Sequence, residues 1–148
     1  MISLLGLLIG VVCLLPELPV ANDHYDQLLK GCQELKDIAF NDWGQRAFIY
    51  TAVAQIAGYG YTLGYSCERE KEAADLLYAG TSQPPEHSIL MDYEADNRTA
   101  YMFLKNIDYR FLMDASRRLG AILKNKPKNK TSIGCAYKRL KACYCVAY

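Results

Sequence analysis

Histidine is almost missing from this chain: two residues in 148, His24 and His87. That scarcity narrows the chemistry, because histidine is the usual proton carrier near neutral pH and a frequent metal ligand. His87 stands beside Ser88 in the loop stretch TSQPPEHS (81–88). Two adjacent residues do not make a triad, which needs a nucleophile, a base and an orienting group within reach. His24 follows the apolar N-terminal run and reads as a terminal residue. No CxxC pair and no His/Cys spacing of the structural-zinc kind occurs. An excess of one charge is also absent. Seventeen Lys and Arg face sixteen Asp and Glu, which removes the electrostatic footprint of a nucleic-acid or acidic-membrane binder. Glu86 and Glu94 read as surface acids rather than a carboxylate pair. No internal repeat is visible.

An apolar run is present, but a short one. Residues 2–15 (ISLLGLLIGVVCLL) match the core of a signal peptide and fall short of the roughly 20 residues a membrane span needs. Pro16 breaks the run, and LPVAN offers a small-residue cleavage site after Ala21, although no Lys or Arg precedes the run. The expectation is a signal peptide over 1–21, one domain over 22–148, and a secreted, extracellular protein. Cys13 then leaves with the signal. Cys32, Cys67, Cys135, Cys143 and Cys145 remain, and an oxidising compartment pairs most of them. Five is odd, so one thiol is free or joins another chain. Five choices of the odd cysteine and three pairings of the rest leave the connectivity open. Two sequons, at Asn97 and Asn129, are candidate glycosylation sites.

Periodicity places the elements. Residues 25–40 predict one helix with Leu28, Cys32, Leu35 and Ile38 on its apolar face, and 45–57 a second. GYGYTLGYS (58–66) breaks helix with three glycines and reads as a short strand or linker. CEREKEAADLLYAG (67–80) is a helix with Ser66 as N-cap and Gly80 as terminator. Its charged residues, Glu68 to Glu72, stand near the start, where acids suit the helix dipole. Residues 99–122 read as one or two aromatic-rich helices, and KNKPKNKTS (124–132) as a solvated basic loop.

The segment SIGCAYKRLKACYCVAY (132–148) predicts two strands. A three-residue turn at Arg139–Leu140–Lys141 sets Cys135 opposite Cys145. A two-residue turn sets it opposite Tyr144. Cys143 shares a face with Cys145, so one of the two is placed to reach Cys67 or Cys32. Of the 12 tyrosines, Tyr59, Tyr61, Tyr65, Tyr101, Tyr109, Tyr137, Tyr144 and Tyr148 cluster around the expected strands and helices, mostly as half-buried packing residues, with the remainder available for a binding face.

Two of these segments carry a resemblance. YTLGYSCEREKEAADLL is similar to the Leu-x-Tyr-x-Cys-x-x-Glu-x-x-Ala helix of nematode members of the CAP superfamily (SCP/TAPS proteins), with Leu63, Tyr65, Cys67, Glu70 and Ala73 in place. SIGCAYKRLKACYCVAY resembles that family's closing hairpin through Ile133, Gly134, Cys135, Ala136, Cys145 and Tyr148. The matched segments cover about a third of the chain. The resemblance implies an α/β fold: a reduced three-layer α-β-α sandwich with a disulfide-stapled C-terminal β-hairpin. It also implies a non-enzymatic secreted effector or antigen acting on host proteins. The alternative is an extracellular carrier of a sterol or fatty acid. The family's metal-binding His and Glu tetrad is reduced here to His87 and Glu94, and its second histidine, its Gly-Glu-Asn motif and a helix cysteine near Gly80 are missing. No cofactor or metal is therefore expected. Expected partners are an extracellular protein and, in the alternative, lipid, but not nucleic acid. The odd cysteine allows a monomer or a disulfide-linked dimer.

Overall fold

The computed structural model describes residues 23–38, 42–80, 83–95 and 107–148. The expected signal peptide, Cys13 and the Asn97 sequon lie outside them. The described chain is a mixture of helix and sheet. Helix α1 (Asp23–Lys30) is followed by a 3-10 turn (Gln33–Ile38), helix α2 (Trp43–Ile56), strand β1 (Gly64–Tyr65), helix α3 (Cys67–Ala79), strand β2 (Ile89–Glu94), helix α4 (Ile107–Lys124), and strands β3 (Ser132–Lys138) and β4 (Ala142–Ala147).

The single helix expected over 25–40 is broken at Gly31, whose φ of 76° ends α1. Its N–H donates to the Gln27 carbonyl at 3.1 Å, and a Cβ there would stand 3.1 Å from Nη1 of Arg46. Glycine therefore serves both the left-handed turn and a close approach to a buried cation. His24 belongs to the first turn of α1 rather than to a free terminus. Helix α2 starts two residues before the expected Gln45 because Asp42 caps it, accepting the Gly44 N–H at 2.7 Å. Helix α3 keeps its expected limits: Ser66 accepts the Arg69 N–H at 3.4 Å, and Gly80 turns left-handed.

The sheet order is β1-β3-β4-β2, with β1 parallel to β3 and the other pairs antiparallel. The hairpin β3–β4 is therefore the middle of the sheet. Its three-residue turn at Arg139–Leu140–Lys141 puts Cys135 opposite Cys145. This is a non-hydrogen-bonded pair, since bonded pairs alternate and Ser132–Tyr148, three rungs away, is bonded, with N–O distances of 2.9 and 3.2 Å. Such sites bring opposed side chains closest, and the Cys135–Cys145 disulfide occupies one, with Cα atoms 4.0 Å apart. Asp108, at the start of α4, holds the turn by accepting from Tyr137 Oη and Arg139 Nε, both at 3.0 Å.

Alternation divides the hairpin's side chains. Ile133, Cys135, Cys143, Cys145 and Ala147 join Met91 in the main core, with Ile49 and Val53 of α2 and Phe111, Leu112 and Leu119 of α4. Ala136 and Val146 point the other way and form a smaller core with Ala73, Ala74 and Leu76 of α3. Strand β2 is an element the sequence reading did not place, and its ILMDYE alternation serves both cores. The basic loop is less free than expected. Lys128 donates its ammonium to the Ala57 carbonyl at the end of α2 and sits 4.8 Å over the Tyr59 ring, while Lys130 donates to the His87 carbonyl at 2.8 Å.

Candidate binding cleft

A cleft of about 780 Å³ opens between α1, the 3-10 turn and the start of α3. The Cys32–Cys67 disulfide lies in its wall, with Cα atoms 5.3 Å apart. This pairing corrects the expectation that Cys143 or Cys145 reaches Cys32 or Cys67. Cys145 is already bonded to Cys135 across the hairpin, Cys143 stays a buried free thiol, and the partner of Cys67 comes from the turn that follows α1. Gln27 secures the join by accepting the Cys67 N–H at 3.0 Å. The rim carries Lys30 and Lys71 against Glu34 and Glu68. Lys71 is also bonded to Asp75 at 2.9 Å, and Glu68 to Arg69 at 3.1 Å. The Ser66 hydroxyl is occupied in capping α3.

Beneath the disulfide lies a buried ionic cluster. Glu70 is fully enclosed and receives Arg46 in a two-point contact, Nε to Oε2 at 2.9 Å and Nη2 to Oε1 at 3.1 Å. Tyr65 donates its hydroxyl to the same carboxylate. Cys32 Sγ lies 3.2 Å from Oε2. Its sulfur is in a disulfide and carries no proton, so this is a contact rather than a hydrogen bond. Burial opposes the Arg46 charge, but the bonds and charge of Glu70 outweigh it and hold the guanidinium above its ordinary pKa. Burial first, and then the adjacent carboxylate, push the Tyr65 phenol well above its ordinary value of 10.0. A phenol raised in the folded state stabilises the fold below the unfolded pKa, and that contribution is lost as pH rises through the folded value. Stability is therefore expected to fall above about pH 10, more steeply in wild type than in Tyr65→Phe. Urea midpoints measured across the alkaline range check this, and equal slopes for the two proteins would count against it. Tyr144 adds to the slope, its pKa pushed up to about 12 first by its bond to Glu94 and then by burial.

The residues singled out from sequence separate in space. His87 lies on the surface before β2, with a φ of 66° and Nε2 3.7 Å from Glu86. Glu94 closes β2 at its other end and accepts the Tyr144 hydroxyl at 2.6 Å. A strand rises about 3.3 Å per residue, so seven residues put the two roughly 20 Å apart, too far to share an ion. Among the described residues no group of three or more His, Cys, Asp and Glu side chains is placed to hold a metal. Cys143 is the free thiol among them. It is enclosed on all sides, and burial raises its pKa, so it stays protonated and out of reach of another chain. Asn129 is exposed beside a second cleft of about 410 Å³ that includes Tyr59 and Lys128. Among the described residues no helix is long and apolar enough to cross a membrane.

Sequence reasoning missed Arg46 and Gln27, and read Glu70 only as one of the charges at the start of its helix and as a residue of the resembling motif. A signal for Glu70 existed: it precedes Ala73, Ala74 and Leu77 at helical spacing, on the apolar face of α3. Arg46 offered only one charge inside a hydrophobic helix. No family model, no curated protein and no solved structure matches the chain.

Proposed function

We propose that this chain is a disulfide-stapled, extracellular binding domain that engages another protein through the cleft over Cys32–Cys67, without catalysing a reaction. The observation that carries the reading is the build of the cleft. Its wall is cross-linked by Cys32–Cys67 over a buried Arg46–Glu70 pair, and its rim presents two lysines and two glutamates. A surface held this rigidly loses little freedom on binding, and a rim of both signs selects a partner by charge arrangement. The open, charged rim favours protein over the sterol or fatty acid of the carrier alternative, which calls for an apolar, enclosing site.

The CAP resemblance is part of this proposal. All five motif residues of the α3 region have structural work: Leu63 and Ala73 are fully buried, Tyr65 and Glu70 bond each other, and Cys67 is cross-linked. The two cores on opposite faces of the hairpin support the finer reading of a three-layer α-β-α sandwich. The nematode secreted proteins that the motif resembles make a host protein the expected partner.

The test is affinity capture of extracellular proteins by the wild type and by a Lys30→Gln, Lys71→Gln double variant. Both substitutions lie on the exposed rim. The double variant is expected to keep its melting temperature and to bind the captured partner about tenfold more weakly, or ~1.4 kcal/mol. Equal binding by both proteins rejects the cleft, and lipid found by mass spectrometry in the purified protein favours the carrier.

A further inference from the structure

The outer edge of β2 is a second surface, independent of the cleft. The ladder decides which of its backbone groups face outward. The Ala95 N–H donates to the Lys141 carbonyl at 3.0 Å, continuing the register in which Glu94 faces Ala142. Bonded pairs alternate along an antiparallel ladder. Ile89, Met91 and Tyr93 therefore turn their N–H and C=O groups toward β4, and Leu90, Asp92 and Glu94 turn theirs away from it. No described strand lies beyond β2.

The opposite edge is treated differently. There β1 covers the start of β3, and further along the Tyr78 hydroxyl donates to the outward carbonyl of Tyr137 at 3.0 Å. Among the described residues, one edge is thus closed by a strand and a side-chain cap, and the other keeps three outward-facing residues.

The side chains on the open edge specify what it accepts. Asp92 and Glu94 are exposed and stand on the same face as Tyr144, about 7 Å apart by strand geometry. Two carboxylates so placed repel the same edge of a second copy, since like charges opposed across a strand pair are unfavourable. They attract a strand with cations at alternate positions. We propose that β2 takes up an extended basic segment of another protein as an added strand. Backbone bonds to Leu90, Asp92 and Glu94 would supply affinity, and Lys or Arg opposite Asp92 and Glu94 would supply selectivity.

The test uses a blocked seven-residue peptide alternating Lys and Val, titrated calorimetrically into the full chain. Saturable binding is expected, with slowed amide exchange at Leu90, Asp92 and Glu94. An Asp92→Lys, Glu94→Lys variant should bind about tenfold or more weakly. Methylating the peptide amides that face β2 should do the same, because it removes donors and leaves the charge. So should Asp92→Pro, which deletes an outward N–H that the β4 ladder does not use. Circular dichroism checks that each variant folds. Failure of the wild type to bind overturns the proposal. So does equal binding of the methylated peptide, which would mark a nonspecific ionic contact, or equal binding of an alternating Glu and Val peptide.

Discussion

Replacing Glu70 with alanine is expected to destabilise the fold by about 3–5 kcal/mol, because it leaves the Arg46 guanidinium buried without its counter-charge. Arg46 is only 3% exposed, so water cannot take over. The loss is a property of the broken pair rather than of the intact one. Two charges removed from water repay their dehydration by attracting each other, and the net gain over an apolar pair is small. The double variant Arg46→Met, Glu70→Leu is therefore expected to recover much of the loss of the single variant. Urea denaturation of the three proteins, with the disulfides kept oxidised, measures both effects. A single variant within 1 kcal/mol of wild type, or a double variant worse than the single, would refute the account.

Gly134→Ala is expected to be at least as damaging, for a steric reason. A Cβ at this position would come within 2.5 Å of the Ser66 carbonyl oxygen and closer still to the Glu70 nitrogen and the Arg69 carbonyl carbon. All three are backbone atoms in the first turn of α3, which cannot swing aside as a side-chain tip can. Strand β3 or helix α3 has to move, and that displacement would disturb both the Glu70 cluster and the smaller core. The cost is expected to reach about 3 kcal/mol or more, the upper end for an overfilled core. Gly80→Ala is the control: its φ is 66°, but a Cβ there would meet nothing within 4 Å. Only backbone strain remains, roughly 1 kcal/mol. Thermal melting of both variants separates the two causes, and similar losses would show that the contact with α3 is not what matters.

The parts of the fold that were legible in sequence are those set by neighbours along the chain. Ser66 and Gly80 bound α3 because a cap and a left-handed terminator act within one turn. Alternation made the hairpin legible, but a three-residue and a two-residue turn both fitted the sequence, and the structure's three-residue turn selects the register that carries the Cys135–Cys145 bond. Interactions that depend on distant segments were hidden. Cys32 and Cys67 are 35 residues apart, and nothing local distinguishes their pairing from the others. Gly31 gave no sign that it ends a helix early, because its reason is partly Arg46, a residue from the next helix. Strand β2 escaped notice because its one fully buried side chain, Met91, sits among polar and half-buried neighbours. In the cleft, residue types could be counted from sequence, but the arrangement of Gln27, Lys30 and Lys71 around a disulfide could not.

The order of strands in the sheet also governs when the fold can form. Strands β1 and β2 never touch; each pairs only with the hairpin. Every described interstrand bond therefore waits for residues from Thr131 onward to be synthesised. Until then helices α1 to α4 have no sheet to cover, and the apolar sides of α2 and α4 have only each other. Contacts between segments so far apart in sequence are slow to find, and surfaces left open meanwhile invite aggregation. Closure of the hairpin is thus the event that gives both outer strands their only described sheet partner.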